Sequence, residues 1–207
     1  MLQYLIIGIT YAFTAVVQPG PFQVFLLSQT LSKGWRRTLP AAFGPLISDL
    51  PVILLTLILL STVPPHFISI LQLAGGLFLL YLAFNAYKTW KAFNSPKPPS
   101  PHSNQQTLLS AVIVNLLNPN PYLGWSLVLG PLLLNGWHQN PSYGIVLLVS
   151  FYATLTIGMI ITILVFSAAG KFGSRLNRIL IGISVIALTC FGIYEILAGL
   201  SSINCPC

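Results

Sequence analysis

Residues 16–22, VVQPGPF, and residues 114–122, VNLLNPNPY, each interrupt a long apolar run with two prolines two positions apart. Proline removes a backbone donor and its ring clashes with the preceding turn, so it kinks or breaks an α-helix. Hydrocarbon offers the freed carbonyls no hydrogen bonds, and such breaks are tolerated where protein or a water-filled cavity satisfies them. Two matched breaks therefore predict a functional site rather than two packing kinks.

The composition places the chain in a membrane. Of its 207 residues, 55% are hydrophobic and 5% are charged, and the mean hydropathy is +0.84. An ordinary soluble domain has about 25% charged residues, so this chain cannot cover itself with a water-facing surface. The net charge of +7 comes from nine Lys and Arg against two acids, with no basic run interleaved with aromatics. We therefore expect an all-α polytopic protein with the lipid bilayer as a partner, and no nucleic-acid partner.

The spacing of apolar residues predicts six transmembrane helices. About 20 apolar residues suffice to span a bilayer, and six such windows cover residues 3–31, 38–61, 66–88, 107–134, 143–168 and 178–200. The basic residues fall in three of the connections: Lys33, Arg36 and Arg37; Lys88, Lys91 and Lys97; Lys171, Arg175 and Arg178. The positive-inside rule puts these connections in the cytoplasm and both termini outside, in the inner (plasma) membrane. The tryptophans lie mostly near span ends, and interfacial anchoring is predicted for most of them: Trp35, Trp90, Trp125 and Trp137.

The breaks divide the chain into two similar halves. A Pro- and Ser-rich linker, 91–106, separates residues 1–90 from residues 107–207 within one membrane domain, 1–207, and each half holds three predicted spans. Because three is odd, the second half crosses in the opposite sense, and the broken helices are one and four. This pattern is typical of a 3+3 inverted-topology repeat with a binding site near the midplane.

The restarting half-helices are expected to form an anion site. Each would turn its positive N-terminus toward the bilayer centre, where two converging ends suit a small carboxylate. The first amides of these half-helices are predicted to be unpaired: Phe22, Gln23 and Val24 in one, Tyr122, Leu123 and Gly124 in the other.

The two acids lie inside predicted spans. Asp49 is about 11 residues into span two, which at about 1.5 Å per residue is near the midplane. A charge there costs at least about 2.5–3.5 kcal/mol, and within the predicted spans Lys, Arg and His occur only at end residues: His66, Lys88 and Arg178. We expect Asp49 to exchange a proton, contact water or bind a cation; the alternative is a permanently protonated acid bonded to an asparagine. Glu195, in the outer third of span six, is either interfacial or part of an outer gate or proton relay.

Three motifs resemble those of the lysine exporter and threonine/homoserine efflux family (LysE/RhtB-type translocators), over nearly the whole chain. QPGP at 18–21 resembles the family's signature in span one. GPLISD at 44–49 resembles its G-x-x-x-G-D, with Ser48 at the second glycine. NLLNPNPY at 115–122 resembles its N-x-x-N-P-K-A, with Asn120 in place of lysine and Pro121 in place of alanine.

The resemblance implies a substrate path and a reaction. Members export amino acids or related small metabolites from the cytoplasm, driven by ion gradients. The path would be lined by Pro19, Gly20, Pro21, Asp49, Asn115, Asn118 and Pro119. Because the family lysine is absent, no intramembrane cation is available to pair with Asp49 or a substrate carboxylate, which leaves the specificity and the coupling mode open.

The predicted function is proton-coupled export of a small metabolite, an amino acid or a derivative, by alternating access. We predict a transporter rather than an enzyme, with no cofactor and no resident metal; its partners are a small-molecule substrate and the proton, and a homodimer is left open. Asp49 and Glu195 are the predicted coupling residues. The predicted substrate-binding residues are Gln18, Pro19, Gly20, Pro21, Phe22, Gln23, Asp49, Asn115, Asn118, Asn120, Pro121 and Tyr122, together with Pro119.

Other functions fit the sequence less well. A metal or other inorganic-ion exporter should have clustered His, Cys or carboxylate ligands, and one midplane Asp is a poor set. A redox carrier would need a cysteine in each break, whereas the cysteines are Cys190, Cys205 and Cys207. A purely structural subunit has no reason to keep a midplane acid, and AAGKFGS at 168–174 lacks the spacing of an ATP-binding phosphate loop.

Overall fold

The computed structural model describes residues 1–18, 20–58, 65–91, 104–171 and 173–204, and within these ranges the regular structure is helical, as predicted. A 3-10 segment, Leu39–Phe43, and a π-helical segment, Trp125–Leu129, each join two α-helices. The helices are α1 (Leu2–Val17), α2 (Pro21–Lys33), α3 (Trp35–Thr38), α4 (Gly44–Ile58), α5 (Pro65–Lys91), α6 (Asn104–Leu116), α7 (Pro119–Gly124), α8 (Gly130–Gln139), α9 (Pro141–Gly170) and α10 (Ser174–Asn204).

Several helices are long and apolar enough to cross a membrane. Within the described residues four stretches qualify alone: Trp35–Leu55, Ser69–Lys91, Pro141–Gly170 and Asn177–Ser201. Helices α1 and α2 qualify as a pair, although their axes differ by 61°. The fourth predicted span falls on α6 to α8, where the apolar stretch Gln106–Leu116 is shorter. The chain is a multi-pass membrane protein, and the count of six spans stays a prediction.

Both proline pairs interrupt a helix. Helix α1 ends at Val17 and α2 begins at Pro21; α6 ends at Leu116 and α7 begins at Pro119. Each restarting helix has proline at its first position, where the missing N–H has no partner to lose and the fixed φ suits the helix. Pro19 lies outside the described residues.

The helices pack in pairs that place the breaks at the centre. Helix α5 lies along α10, α1 packs against α9, and α4 packs against α6. Glycines let α5 and α10 approach closely, since a Cβ added to Gly76 would lie 2.6 Å from the carbonyl oxygen of Gly192. Small residues at such crossings are typical of helix association in lipid.

Parts of the predicted organisation lie outside the described residues. They include Lys97, most of the predicted linker (92–103), and the tail cysteines Cys205 and Cys207. The division of the chain into repeats at this linker therefore stays a prediction.

Candidate functional site

A cavity of about 210 Å³ lies between the two breaks. An engineered cavity of about 150 Å³ holds one benzene molecule, so this volume suits a single small metabolite. Pro119 and Tyr122 are buried in α7 without lining it. The predicted site residues on its wall are Gln18, Gly20, Pro21, Phe22, Gln23, Asp49, Asn115, Asn118, Asn120 and Pro121.

Asp49 is the carboxylate of this cavity and is 3% exposed. Its Oδ1 accepts a hydrogen bond from Asn115 Nδ2 at 2.7 Å, and its Oδ2 accepts one from the Tyr152 hydroxyl at 3.2 Å. Both partners are neutral, and no ion pair involves Asp49 within the part of the chain that is described. The alternative of a permanently protonated Asp49 predicted an asparagine as its hydrogen-bond partner. Two donors, however, suit an ionised carboxylate, which only accepts.

Asn115 links α6 to α4 through two hydrogen bonds from one nitrogen. Its Nδ2 also donates to Ser48 Oγ at 2.7 Å, and Ser48 Oγ in turn donates to the Gly44 carbonyl at 3.0 Å. Ser48 thus supplies an acceptor that glycine, the residue of the family motif at this position, lacks. The carboxyl of Asp49 is held in place by this neighbouring pair.

At the first break, a side chain of α2 satisfies carbonyls at the end of α1. Gln23 Nε2 donates to the Ala15 carbonyl at 2.9 Å and lies 3.4 Å from that of Val16. The Val24 amide, predicted to be unpaired, donates to the Gly20 carbonyl at 3.1 Å, because the fourth helical amide pairs with the N-cap residue. Phe22 and Gln23 occupy the first turn, whose amides the helical ladder leaves unpaired.

At the second break, the predicted anion-binding end is absent. Helix α7 already begins at Pro119, so Leu123 and Gly124 lie beyond its first turn. Prolines occupy the first and third positions and have no N–H, while the Asn120 amide donates to Asn118 Oδ1 at 3.1 Å. The prediction of unpaired amides at Leu123 and Gly124 was therefore wrong, and of the two restarting helices only α2 begins with first-turn amides that the helical ladder leaves unpaired.

The Tyr122 side chain satisfies a backbone carbonyl at the second break, as Gln23 does at the first. Its hydroxyl donates to the Leu116 carbonyl, the last of α6, at 3.0 Å. In both breaks a side chain of the restarting helix satisfies the end of the preceding one. The broken backbone is thus satisfied by protein, as the hydrocarbon environment requires.

Aromatic residues that the sequence analysis missed surround Asp49. Trp125 is 2% exposed rather than at an interface, and it lines the cavity with Tyr11 and Phe151. Its ring meets that of Phe151 edge to face at 5.9 Å and stacks on that of Tyr152 at 6.4 Å. Trp125 follows Pro121 by four residues, about one helical turn, so the two share a helix face. This spacing is the sequence signal that would have placed Trp125 at the cavity. No local motif marks Tyr152, which comes from α9.

Glu195 lies apart from this cavity. It is 9% exposed, and it lines a separate cavity of about 10 Å³ together with Pro21 and Asn118. Its depth in the membrane, and with it the choice between an interfacial position and an outer gate or proton relay, stays a prediction. Within the described residues, no group of three or more His, Cys, Asp or Glu side chains is arranged to hold a metal ion.

Comparisons with known proteins give one match. Neither the curated proteins nor the solved structures contain a significant match to this chain. The family model for the LysE type translocator matches residues 13–199, a range that contains both breaks, Asp49 and Glu195. This protein therefore belongs to the LysE type translocator family, whose members transport small molecules across membranes.

Proposed function

We propose that the protein exports a small metabolite with an ammonium group, an amino acid or a derivative, from the cytoplasm in exchange for protons. The observation that carries this proposal is a single cavity of about 210 Å³ containing the buried carboxyl of Asp49 and residues of both helix breaks. A buried ionisable residue in a membrane protein marks a substrate or ion pathway by default.

The ammonium group would bind at Asp49. Its carboxyl has neutral hydrogen-bond partners only, so an incoming cation meets no competing positive charge among the described residues. The rings of Trp125 and Phe151 line the same cavity, and aromatic faces attract ammonium groups in a desolvated site. These features favour a cationic or zwitterionic substrate over an anion.

A carboxylate on the substrate would bind at the start of α2. The first-turn amides of Phe22 and Gln23 lie at the positive end of a 13-residue helix, next to the cavity. Asn118 and Asn120 stand across the cavity, where the family motif has Asn-Pro-Lys. With asparagine in place of that lysine, the carboxylate would be held by neutral donors and therefore less tightly than the ammonium group.

Transport would proceed by alternating access between two inverted halves. In an inverted repeat α1 would correspond to α6, α4 to α9 and α5 to α10. Helix α1 packs against α9 and α6 packs against α4, so exchanging the two halves converts one pair into the other. Helices α5 and α10 pack with each other. These pairings support the repeat and favour α6 to α8 as the fourth span. Rocking one half against the other would open the cavity to each side in turn, with the termini and the proton supply outside.

A growth screen followed by counterflow tests this function. Cells lacking or overproducing the protein are challenged with single amino acids and dipeptides, and overproduction is expected to confer resistance to the substrate. Purified protein in liposomes should then exchange that labelled substrate, and Asp49→Asn should abolish exchange while Asp49→Glu retains part of it. Full exchange by Asp49→Asn would remove Asp49 from substrate binding and overturn the proposed mechanism.

A further inference from the structure

We propose that Glu195 is a second proton-binding site, separate from Asp49 and coupled to the substrate cavity through the walls that the two cavities share. This inference rests on proton-coupled export and assigns a coupling proton to a particular carboxyl. It predicts that Asp49 and Glu195 have different roles, substrate binding for the first and proton binding for the second.

The first observation is a buried carboxyl oxygen with no partner. Glu195 projects from α10 and is 9% exposed, and its Oε2 has no hydrogen-bond partner among the described residues. Buried polar groups are normally paired, so an orphaned oxygen calls for an explanation. Protonation of the carboxyl removes a negative charge for which this site provides no counter-charge.

The second observation is the chemistry of the small cavity beside it. At about 10 Å³ it is at the lower limit for one water molecule. Its wall is apolar apart from Glu195 and Asn118, whose Oδ1 already accepts from the Asn120 amide. A bare Na⁺ or divalent cation would need several oxygen ligands. The remaining wall residues are Pro21, Gly75, Phe78, Leu79, Val114 and Leu117, and a proton is the cation that they can accommodate.

Other titratable groups do not face this carboxyl. The wall residues from α2, α5 and α6 carry no titratable side chain. Among the side chains that the structure describes, the charged and titratable ones of the helices packed against α10 lie outside the cavity wall: Lys33 on α2; Tyr81, Tyr87, Lys88 and Lys91 on α5; Tyr143 and Tyr152 on α9. The side chain of His66, on α5, is not among those described. Glu195 therefore titrates without a local ion pair among the described residues.

The third observation is the shared wall. Pro21 and Asn118 line both the Glu195 cavity and the Asp49 cavity. Pro21 is the first residue of α2 and Asn118 is the N-cap of α7, so they stand at the two restarting ends. Deprotonation of Glu195 needs a proton acceptor such as water, and widening this small cavity to admit water would move these walls. That movement reshapes the substrate cavity, and thermodynamic linkage makes the effect reciprocal.

Infrared spectroscopy tests the proton site without any substrate. The chain has only two acidic side chains, so the carbonyl stretch of protonated side-chain carboxyls arises from Asp49 and Glu195. Reconstituted protein should show a pH-dependent carbonyl band that Glu195→Gln removes and Asp49→Asn retains. If Glu195→Gln does not fold, the band is read in Asp49→Asn, where Glu195 is the remaining acidic side chain. Absence of a Glu195 band at every pH, or its loss on adding Na⁺, would overturn the inference.

Transport then separates coupling from binding. With a labelled mixture of the standard amino acids as probe, Glu195→Gln should retain counterflow, and its uptake driven by a pH gradient should fall about tenfold or more. Glu195→Asp is the matched control and should keep the pH dependence. Undiminished pH-driven uptake by Glu195→Gln would overturn the inference. Absence of counterflow in the wild type would instead refute the proposed function, and the infrared experiment would still decide whether Glu195 binds a proton.

Discussion

Replacement of Asn115 by alanine tests the hydrogen bonds that hold Asp49. The Asn115 amide donates to Ser48 Oγ and to Asp49 Oδ1, each at 2.7 Å, and these bonds join α6 to α4. Ser48→Ala removes only the first of these interhelical bonds and is the matched control. It also removes the bond from Ser48 Oγ to the Gly44 carbonyl, which lies within α4 and contributes little to helix stability. Both positions are buried, so the lost partners are not replaced by solvent.

The expected loss in the free energy of unfolding follows from the two hydrogen-bond acceptors of Asn115, Ser48 Oγ and Asp49 Oδ1. A hydrogen bond between neutral groups inside a membrane protein contributes on average about 0.6 kcal/mol. A bond to a charged group contributes about 1.5–3 kcal/mol. Ser48→Ala should therefore lower the free energy of unfolding by about 0.6 kcal/mol, and Asn115→Ala should lower it by about 2–4 kcal/mol when Asp49 is ionised. If Asp49 is protonated, the loss for Asn115→Ala should be only about 1 kcal/mol.

The free energy of unfolding is measured by SDS titration in mixed micelles at low and at high pH. Because the charged bond exists only while Asp49 is ionised, the difference between the two variants should be largest at high pH and shrink as the pH falls. Equal losses for Asn115→Ala and Ser48→Ala at every pH would refute the Asn115–Asp49 bond. A small, pH-independent difference would support a permanently protonated acid.

Two further substitutions test the site and the packing. Tyr152→Phe removes the 3.2 Å donor to Asp49 Oδ2; the loss of about 1.5 kcal/mol, the low end for a bond to a charged group because the bond is long, should weaken substrate counterflow about tenfold, and no change would mean that this hydroxyl does not support the carboxylate. Gly76→Ala forces a Cβ to within 2.6 Å of the Gly192 carbonyl oxygen and should destabilise the protein by about 1–3 kcal/mol in thermal unfolding. Gly20→Ala is the control, because its Cβ would approach no atom closer than 3.5 Å, and it should lower the melting temperature less than Gly76→Ala, by the small cost of a poorer N-cap. Equal melting of the two alanine variants would contradict the close α5–α10 crossing.

The positions of the breaks were predictable because proline acts locally. Each proline pair removes donors and forbids the preceding turn whatever the rest of the fold does, so α1 and α6 end where the sequence indicates. The resemblance implied that Asp49 and Asn115 line one path, because each stands in a motif similar to one of the family's, and both line the same cavity. The family itself was confirmed by the match over residues 13–199.

The partners within the site were not predictable from local pattern. Phe151 lines the cavity and Tyr152 contacts Asp49 because α9 packs against α1 and α2, a tertiary arrangement that no short motif encodes. The start of α7 at Pro119 depends on whether Asn118 turns its side chain back to cap the helix, and a sequence allows either proline to begin it. Trp125 is one of four tryptophans for most of which interfacial anchoring was predicted, whereas packing buries it.

Protection of a cysteine at position 120 tests most directly whether the cavity between the breaks binds the substrate. Asn120→Cys, on the cavity wall, and Gln139→Cys, at the end of α8, are made in a variant whose three native cysteines are serine. Both are reacted with a membrane-impermeant thiol reagent in liposomes active in counterflow. The account predicts that the transported amino acid slows labelling at position 120 and leaves position 139 unchanged. Equal labelling of position 120 with and without that amino acid would contradict it.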